Sequence, residues 1–330
     1  MPDRVLVTGV SGFLAGHVVA ELRDHGYRVR GTVRRVTPEL AAHLGDVELV
    51  TADLAADDGW AEAVAGCRFV VHTASPFPMA EPDHEDELIR PAVDGTLRVL
   101  RAAAAAGVER VVLTSSLAAI AVGHSDRECT EADWSDLSAC RAYDKSKTLA
   151  ERAAWEFARS TPGFELAVIN PGMIVGPVLR AAVGTSAGAI RAILAKEMPG
   201  IPPISFAPVD VRDAAAAHRL AMEVPEAAGN RYICAGQPVS MPEMARMLAT
   251  RYRVPTRTLP APLLRVAGLF DGTARAATRF LGRTERVSAA KARAELGWST
   301  RPVAESVLDT AESLIRFGLV ADPGRPRSAA

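Results

Sequence analysis

The chain has 330 residues, 48% hydrophobic and 23% charged, and its 38 basic and 39 acidic side chains leave a formal net charge of −1. That balance gives no support for a polybasic membrane patch or a nucleic-acid footprint, and the hydrophobic fraction excludes a disordered chain. The length suffices for one nucleotide-type domain with a smaller appendage, or for two medium domains.

Arg4–Thr8 (RVLVT) reads as a buried strand, followed by a glycine turn and a helix over Phe13–His25 that stops at Gly26. The turn, Thr8-Gly9-Val10-Ser11-Gly12-Phe13-Leu14-Ala15, points backbone N–H groups and the positive helix end at a phosphate. Gly9 permits the tight turn, Gly12 lets a pyrophosphate approach the backbone, and small Ala15 lets the helix lie close to the sheet. The spacing is G-x-x-G-x-x-A rather than G-x-G-x-x-G; its weight comes from its place on the first strand of an alternating pattern. Arg28–Val33 reads as a second strand and leads into Arg34-Arg35. A domain that selects NAD places a carboxylate near here for the ribose 2′-hydroxyl. Guanidinium forks match a 2′-phosphate instead, so NADP(H) is the expected cofactor. A third strand over Val47–Thr51 precedes Asp53 and Leu54, an acid and a backbone suited to the adenine amino edge. After a helix over Gly59–Ala65, a fourth strand, Phe69–His72, runs into Thr73, Ala74 and Ser75, at the carboxyl edge where ligands lie in such sheets.

His84-Glu85-Asp86-Glu87 reads as a solvated helix start rather than a metal cluster, because H-x-x-x-H geometry is lacking. A helix over Pro91–Ala106 is expected to carry Pro91 in its first turn and Gly107 as its stop. The fifth strand, Arg110–Thr114, ends in Thr114-Ser115-Ser116, where a hydroxyl can hold a substrate carbonyl. In a helix over Tyr143–Arg159, Tyr143 and Lys147 stand four apart on one face, while Lys145 faces away. A free phenol has a pKa of about 10, which a neighbouring ammonium lowers. Tyr143 can then act as general acid to a carbonyl oxygen that receives hydride, and Lys147 can also hold the nicotinamide ribose. A sixth strand spans Leu166–Asn170. Alternating strands and helices predict an α/β fold, a Rossmann-type doubly wound parallel sheet.

Beyond about residue 176 the pattern loosens around Pro177, Pro199, Pro202, Pro203 and Pro208. Residues 1–176 are expected to form the cofactor domain with the catalytic residues. Residues 177–330 are expected to form a smaller α/β substrate-binding region with a frayed tail, the helix near 213–223 packing back on the first domain. Pro255–Gly282 reads as one or two partly exposed helices. No apolar stretch reaches the roughly 18–20 residues of a bilayer span, and Thr8, Gly9, Ser11 and Gly12 interrupt the only early apolar run, which disfavours a signal peptide. The cysteines Cys67, Cys129, Cys140 and Cys234 show no C-x-x-C pairing. Reduced thiols in a cytoplasmic protein without a metal site are therefore expected. No G-x-S-x-G elbow is present, which disfavours an α/β-hydrolase.

These residues resemble the extended short-chain dehydrogenase/reductases, and among them the dihydroflavonol 4-reductase-like group of NADPH-dependent carbonyl reductases. The resemblance runs through TGVSGFLAGH, GTVRR, ADL, VVHTASPF, RPAVDGTLRVLRAA, VLTSSLAAI, YDKSKTLAERAAWEFA and INPGMIVGP, then thins to VDVRDAAAAH and KARAELGW. It implies a catalytic triad of Ser116, Tyr143 and Lys147. It implies phosphate contacts from Gly9, Ser11, Gly12, Phe13 and Leu14, and Arg34 at the 2′-phosphate. Pro38 stands near the family's second basic position, where Arg35 can substitute. Pro171 and Ile174 would meet the nicotinamide end, and Ser186 would add a hydrogen bond. Phe77, Met79, Met173 and Phe206 are candidate substrate walls beside Ser116. Plant flavonoid reductases carry a polar side chain shortly after the catalytic serine; Ala121, within the nearly apolar Leu117–Val122, stands there instead. An aldehyde or ketone less polar than a flavonoid is the expected substrate, a homodimer being left open. The alternatives are an NAD-dependent nucleotide-sugar epimerase or dehydratase on the same fold, and a non-catalytic NADP-sensing regulatory protein.

Overall fold

The computed structural model describes residues 2–325 apart from 77–81, 125–126, 183, 199, 271, 279 and 283, and apart from the side chains of 185, 273 and 276. The candidate substrate walls Phe77 and Met79 therefore lie outside the described residues. The chain divides into two compact units, one of Met1–Pro171, Arg212–Cys234 and Ser288–Ser299, the other of Gly172–Val211, Ala235–Val287 and Thr300–Ala330.

The first unit is built on strands β1 (Arg4–Thr8), β2 (Arg28–Val33), β3 (Glu48–Thr51), β4 (Phe69–His72), β5 (Arg110–Thr114) and β6 (Glu165–Pro171). Helices α1 (Phe13–Asp24), α2 (Pro38–Leu44), α3 (Trp60–Val64), α4 (Asp86–Ala105) and α5 (Ala142–Ser160) connect them. The second unit contributes β7 (Met173–Val175), α6 (Thr185–Leu194), β8 (Ser205–Phe206) and β9 (Pro208–Asp210). Then come α7 (Val211–Glu223), nearly all in the first unit, and β10 (Arg231–Cys234). Strand β11 (Val239–Ser240), α8 (Met241–Ala249), α9 (Ala261–Ala267) and α10 (Gly272–Thr278) return to the second unit; α11 (Ala290–Leu296) belongs to the first and α12 (Val303–Arg316) to the second.

The main sheet has seven strands in the order β10-β6-β5-β4-β1-β2-β3, and every neighbouring pair is parallel. A parallel sheet covered by crossover helices is dry on both faces, so its strands are continuous apolar runs. Val5, Leu6, Val7, Val70, Val71, Val111 and Val112 are accordingly fully buried. On one face Trp60, Val64, Val99, Leu100 and Ala154 pack against Leu6, Val70, Val111 and Val168. The strand order reverses between β1 and β4, and the crevice at the carboxyl ends of those two strands is where such sheets bind ligands.

Helix α2, with Thr37 as its cap, is not among the elements expected from the sequence, and two further differences bear on the sheet and its cover. Helix α4 begins at Asp86, so Pro91 lies inside it rather than in its first turn. Asp86 and Glu87 favour the positive end of the helix, and buried Leu88 and Ala92 extend the apolar stripe of Thr96, Val99 and Ala103 backwards by more than a turn. The seventh strand, β10, follows α7 and pairs in register with β6, Arg231 opposite Val168 and Cys234 opposite Pro171.

In the second unit β7 pairs with β9 in parallel and β8 with β11 antiparallel. The Pro255–Gly282 stretch holds α9 and α10, and Leu263, Val266, Leu269 and Phe270 are exposed there. Gly324 accepts a hydrogen bond from the Arg253 N–H, and the residues after 325 are outside the described chain. Among the described residues no helix is long and apolar enough to cross a membrane.

Candidate active site

The turn between β1 and α1 is fixed by contacts with both neighbouring strands. Gly9 has φ +68°, a left-handed conformation that a side chain disfavours, and a Cβ there would come within 3.1 Å of the Ala74 Cβ. Its N–H donates to the Thr32 hydroxyl at 3.1 Å, and the Val10 N–H to the Thr32 carbonyl at 3.1 Å. Gly31 admits Val10 against the strand, since a Cβ at that position would lie 2.5 Å from Val10 Cγ1. On the other side Thr8 Oγ1 accepts from the Ala74 N–H at 3.0 Å and pairs with His72 Nδ1 at 2.8 Å, while the Thr73 hydroxyl donates to the Thr8 carbonyl at 2.5 Å.

Helix α1 then starts at Gly12, with no capping side chain and no acid in its first turn. A helix start left uncapped in this way offers its N–H groups and positive dipole end to an anion. The exposed glycine leaves room for that anion at the backbone. This cradle fits the pyrophosphate of a dinucleotide. Arg34 and Arg35 are exposed just past the end of β2, where guanidinium groups suit one further phosphate.

The expected catalytic residues sit on α5 and just past the end of β5. Tyr143 is half-buried, and Lys147, one turn on, is only 8% exposed. Lys145 points elsewhere and forms an ion pair with Glu85 at 2.6 Å. Burial pulls the Lys147 ammonium down to about 8, against the opposing pull of the Glu151 carboxylate. Ser116 caps a single 3-10 turn, Leu117–Ala119, its Oγ accepting from the Ala118 N–H at 3.1 Å. The Ser116 hydroxyl hydrogen therefore stays available to a ligand, none of the described residues accepting it. Thr148 ties α5 to that turn through its hydroxyl, which reaches the Ala118 carbonyl at 3.3 Å. The same hydroxyl lies closer, at 2.8 Å, to the Asp144 carbonyl within α5, so it bridges the first turns of the helix and the Ser116 turn.

Two buried histidines brace these strand ends. His218 Nδ1 lies 2.7 Å from the Ala214 carbonyl, which only accepts, so Nε2 accepts from the Thr114 hydroxyl at 2.7 Å. Burial lowers His218 to about 4, and burial together with the Lys147 charge lowers His72 to about 3. Both are neutral in the folded protein, whereas an unfolded histidine protonates near pH 6.5. The unfolded chain thus binds more protons in the interval below that value. Stability from this source is present above pH 6.5 and falls as the pH drops toward the folded values, by about 1.4 kcal/mol per unit per histidine. Urea unfolding followed from pH 7 to pH 5, an interval of about two units on that scale, should show this slope. His218→Gln should roughly halve this contribution, leaving that of His72, and an unchanged slope would assign the acid sensitivity to other groups.

The remaining expected residues are distributed as follows. Asp53 is exposed beyond β3, and its Oδ1 accepts from the Ala55 N–H at 2.9 Å; Leu54 packs close to Gly95 on α4. Thr73, Ala74 and Ser75 are half-buried after β4. Thr114 ends β5 and gives its hydroxyl to His218. Pro171 closes β6. Ser11 and Phe13 flank Gly12, and Leu14 is buried under the turn. Met173 and Ile174 on β7, Ser186 on α6 and Phe206 on β8 belong to the second unit and are half-buried; Phe206 meets Phe280 edge-on at 5.3 Å. Glu151, Asn170, His72, His218 and Arg231 lie around the same strand ends without forming a motif of their own. For Glu151 the only sequence signal is its place one turn beyond Lys147 and two beyond Tyr143.

A glycine turn at the point where a parallel sheet reverses its strand order defines a dinucleotide-binding protein of the Rossmann class. More narrowly, the chain belongs to the NAD dependent epimerase/dehydratase family, which residues 5–235 match, and within it to the extended short-chain dehydrogenase/reductases. Cinnamoyl-CoA reductase 1 of Petunia hybrida is 38% identical over 77% of this chain and 79% of that protein. An anthocyanidin reductase of Vitis vinifera is 35% identical over 76% of this chain and 82% of its own. Among solved structures, yeast methylglyoxal/isovaleraldehyde reductase Gre2 complexed with NADPH superposes with a TM-score of 0.79 at 28% identity, covering 96% of this chain and 99% of that one.

Proposed function

We propose that the protein reduces an aldehyde or ketone to an alcohol with NADPH. It is an NADPH-dependent oxidoreductase acting on carbonyl groups, as are the reductases it resembles. The observation that carries the reading is the pairing of Tyr143 with a buried Lys147 on one face of α5, joined through Thr148 to the Ser116 turn.

When bound, NADPH supplies the hydride. Gly9 through Leu14 hold the pyrophosphate, Arg34 with Arg35 the 2′-phosphate, and Asp53 with Leu54 the adenine edge. Ser116 donates its hydroxyl hydrogen to the substrate carbonyl and orients it. Tyr143 transfers its phenolic proton to the carbonyl oxygen as negative charge develops there. Lys147, as ammonium, stabilises the phenolate left behind and holds the nicotinamide ribose. Pro171, Ile174 and Ser186 are proposed at the nicotinamide end, and Met173 and Phe206 along the substrate. Ala121 and its apolar neighbours favour a carbonyl compound of low polarity. The proposed setting is the cytoplasm.

Purified protein mixed with NADPH and a panel of aliphatic and aromatic aldehydes and ketones should consume NADPH, and NADH much more slowly. Tightly retained NAD in the purified protein would instead favour epimerase or dehydratase chemistry. NADPH binding without turnover across the panel would favour a sensing role.

A further inference from the structure

Beneath Lys147 lies a buried polar cluster that the reaction scheme does not use. The Glu151 side chain is fully buried on the Tyr143–Lys147 face of α5, one turn further along. Its Oε2 accepts from the Ser115 hydroxyl at 2.5 Å and from the Asn170 amide at 2.8 Å. Oε1 accepts from the Trp155 indole at 3.2 Å and lies 2.7 Å from Nε of Arg231. Arg231 is itself only 7% exposed; its guanidinium stacks on Trp134 at 3.9 Å and donates to the Asp133 carbonyl at 2.9 Å. The Asn170 amide also reaches the backbone carbonyl of Ser116 at 3.2 Å. One carboxylate therefore joins α5, the end of β5, β6 and β10.

Burying a carboxylate is costly unless charge and hydrogen bonds compensate it. Here four groups do so, more than a packing residue needs. Arg231 lies against this carboxylate, and buried Lys147 stands one turn before it on the same face of α5, within its electrostatic reach. From β4, His72 also faces Lys147 and is neutral, so it supplies no negative charge. From α5 itself, Tyr143 stands one turn before Lys147.

We propose that Glu151 is a positioning residue for the carbonyl reduction: its buried carboxylate keeps Lys147 cationic and, through Asn170, braces the Ser116 turn against the same support. The role rests on the function proposed above, whereas the hold of Glu151 on Lys147 does not depend on it. Without the carboxylate, burial alone governs Lys147 and its ammonium is lost at lower pH. The help Lys147 gives Tyr143 then ends at lower pH as well.

The chain has only four lysines, Lys145, Lys147, Lys196 and Lys291, so 13Cε-labelled lysine gives a spectrum in which Lys147 can be followed by NMR. In cofactor-free Glu151→Gln the Lys147 titration midpoint should fall by about one pH unit or more. The alkaline limb of the kcat profile should move to lower pH with it, and Glu151→Asp should recover most of both shifts. Because Glu151→Gln leaves Arg231 buried without its partner, the Glu151→Gln/Arg231→Met pair, which removes both charges, is read for the same shift if the single variant does not fold. Circular dichroism and NADPH titration establish folding. A Lys147 midpoint unmoved in a folded variant, with kcat lowered evenly at every pH, would overturn the proposal and leave Glu151 a packing residue. Loss of the midpoint shift is distinguishable from a wild-type protein that turns over no carbonyl, which would instead overturn the reductase reading.

Discussion

Tyr143→Phe should abolish measurable carbonyl reduction while NADPH still binds within about twofold of wild type. The phenol is the group placed to hand a proton to the carbonyl oxygen, and general acid catalysis of this kind contributes roughly 10²–10⁴ in rate. Phenylalanine keeps the ring and removes only the hydroxyl, so α5 and its buried face of Ser146, Lys147, Ala150 and Glu151 stay packed. The phosphate cradle and the Arg34-Arg35 pair lie on other elements, which is why binding survives. NADPH consumption gives the rate and fluorescence titration the affinity. Retained turnover would sink the assignment of Tyr143 as the acid; joint loss of binding and turnover would mean that the change disturbed the cradle.

Arg34→Ala should raise the KM for NADPH by about 10- to 100-fold and leave that for NADH nearly unchanged. A guanidinium bonded to a phosphate contributes roughly 1.5–3 kcal/mol as charge-assisted hydrogen bonds, and an exposed site loses part of that to solvent screening. Arg34 follows β2 directly and is exposed, so its removal creates no cavity and no unpaired buried group. The effect should shrink as salt is added. Arg35→Ala tests the neighbouring guanidinium in the same assay. Equal losses with NADPH and NADH would show that Arg34 acts on the fold rather than on the 2′-phosphate.

The parts of this protein legible in its sequence are those set by local chemistry. The β1 run of Val5, Leu6 and Val7, the glycine turn and the small Ala15 are neighbours in the chain, and so are Tyr143 and Lys147. Helical period alone places that pair on one face. What period does not show is the partner a face will meet. Glu151, which the sequence does not single out, has its charge balanced by Arg231 on β10, far along the chain and at the edge of the sheet. His72 and His218 likewise acquire meaning only from Thr8 and Thr114 across the strand ends. Strand β10 is four residues long and carries no local signal of its own, because its defining property is register with β6. Pro91 misled for a different reason: proline marks a first turn on average, yet the acids and Leu88 before it propagate α4 past that mark.

The interlock of Gly31 with Val10, and of the Thr32 hydroxyl with the Gly9 N–H, has a practical consequence for redesign. Any library meant to convert the enzyme from one nicotinamide coenzyme to the other should diversify only the exposed residues 34–36. Positions 31 and 32 belong to the hinge pin of the turn, and randomising them would discard folded clones before their coenzyme preference could be scored. On the proposed function, the residues that would select the coenzyme and those that shape the turn are divided at buried Val33.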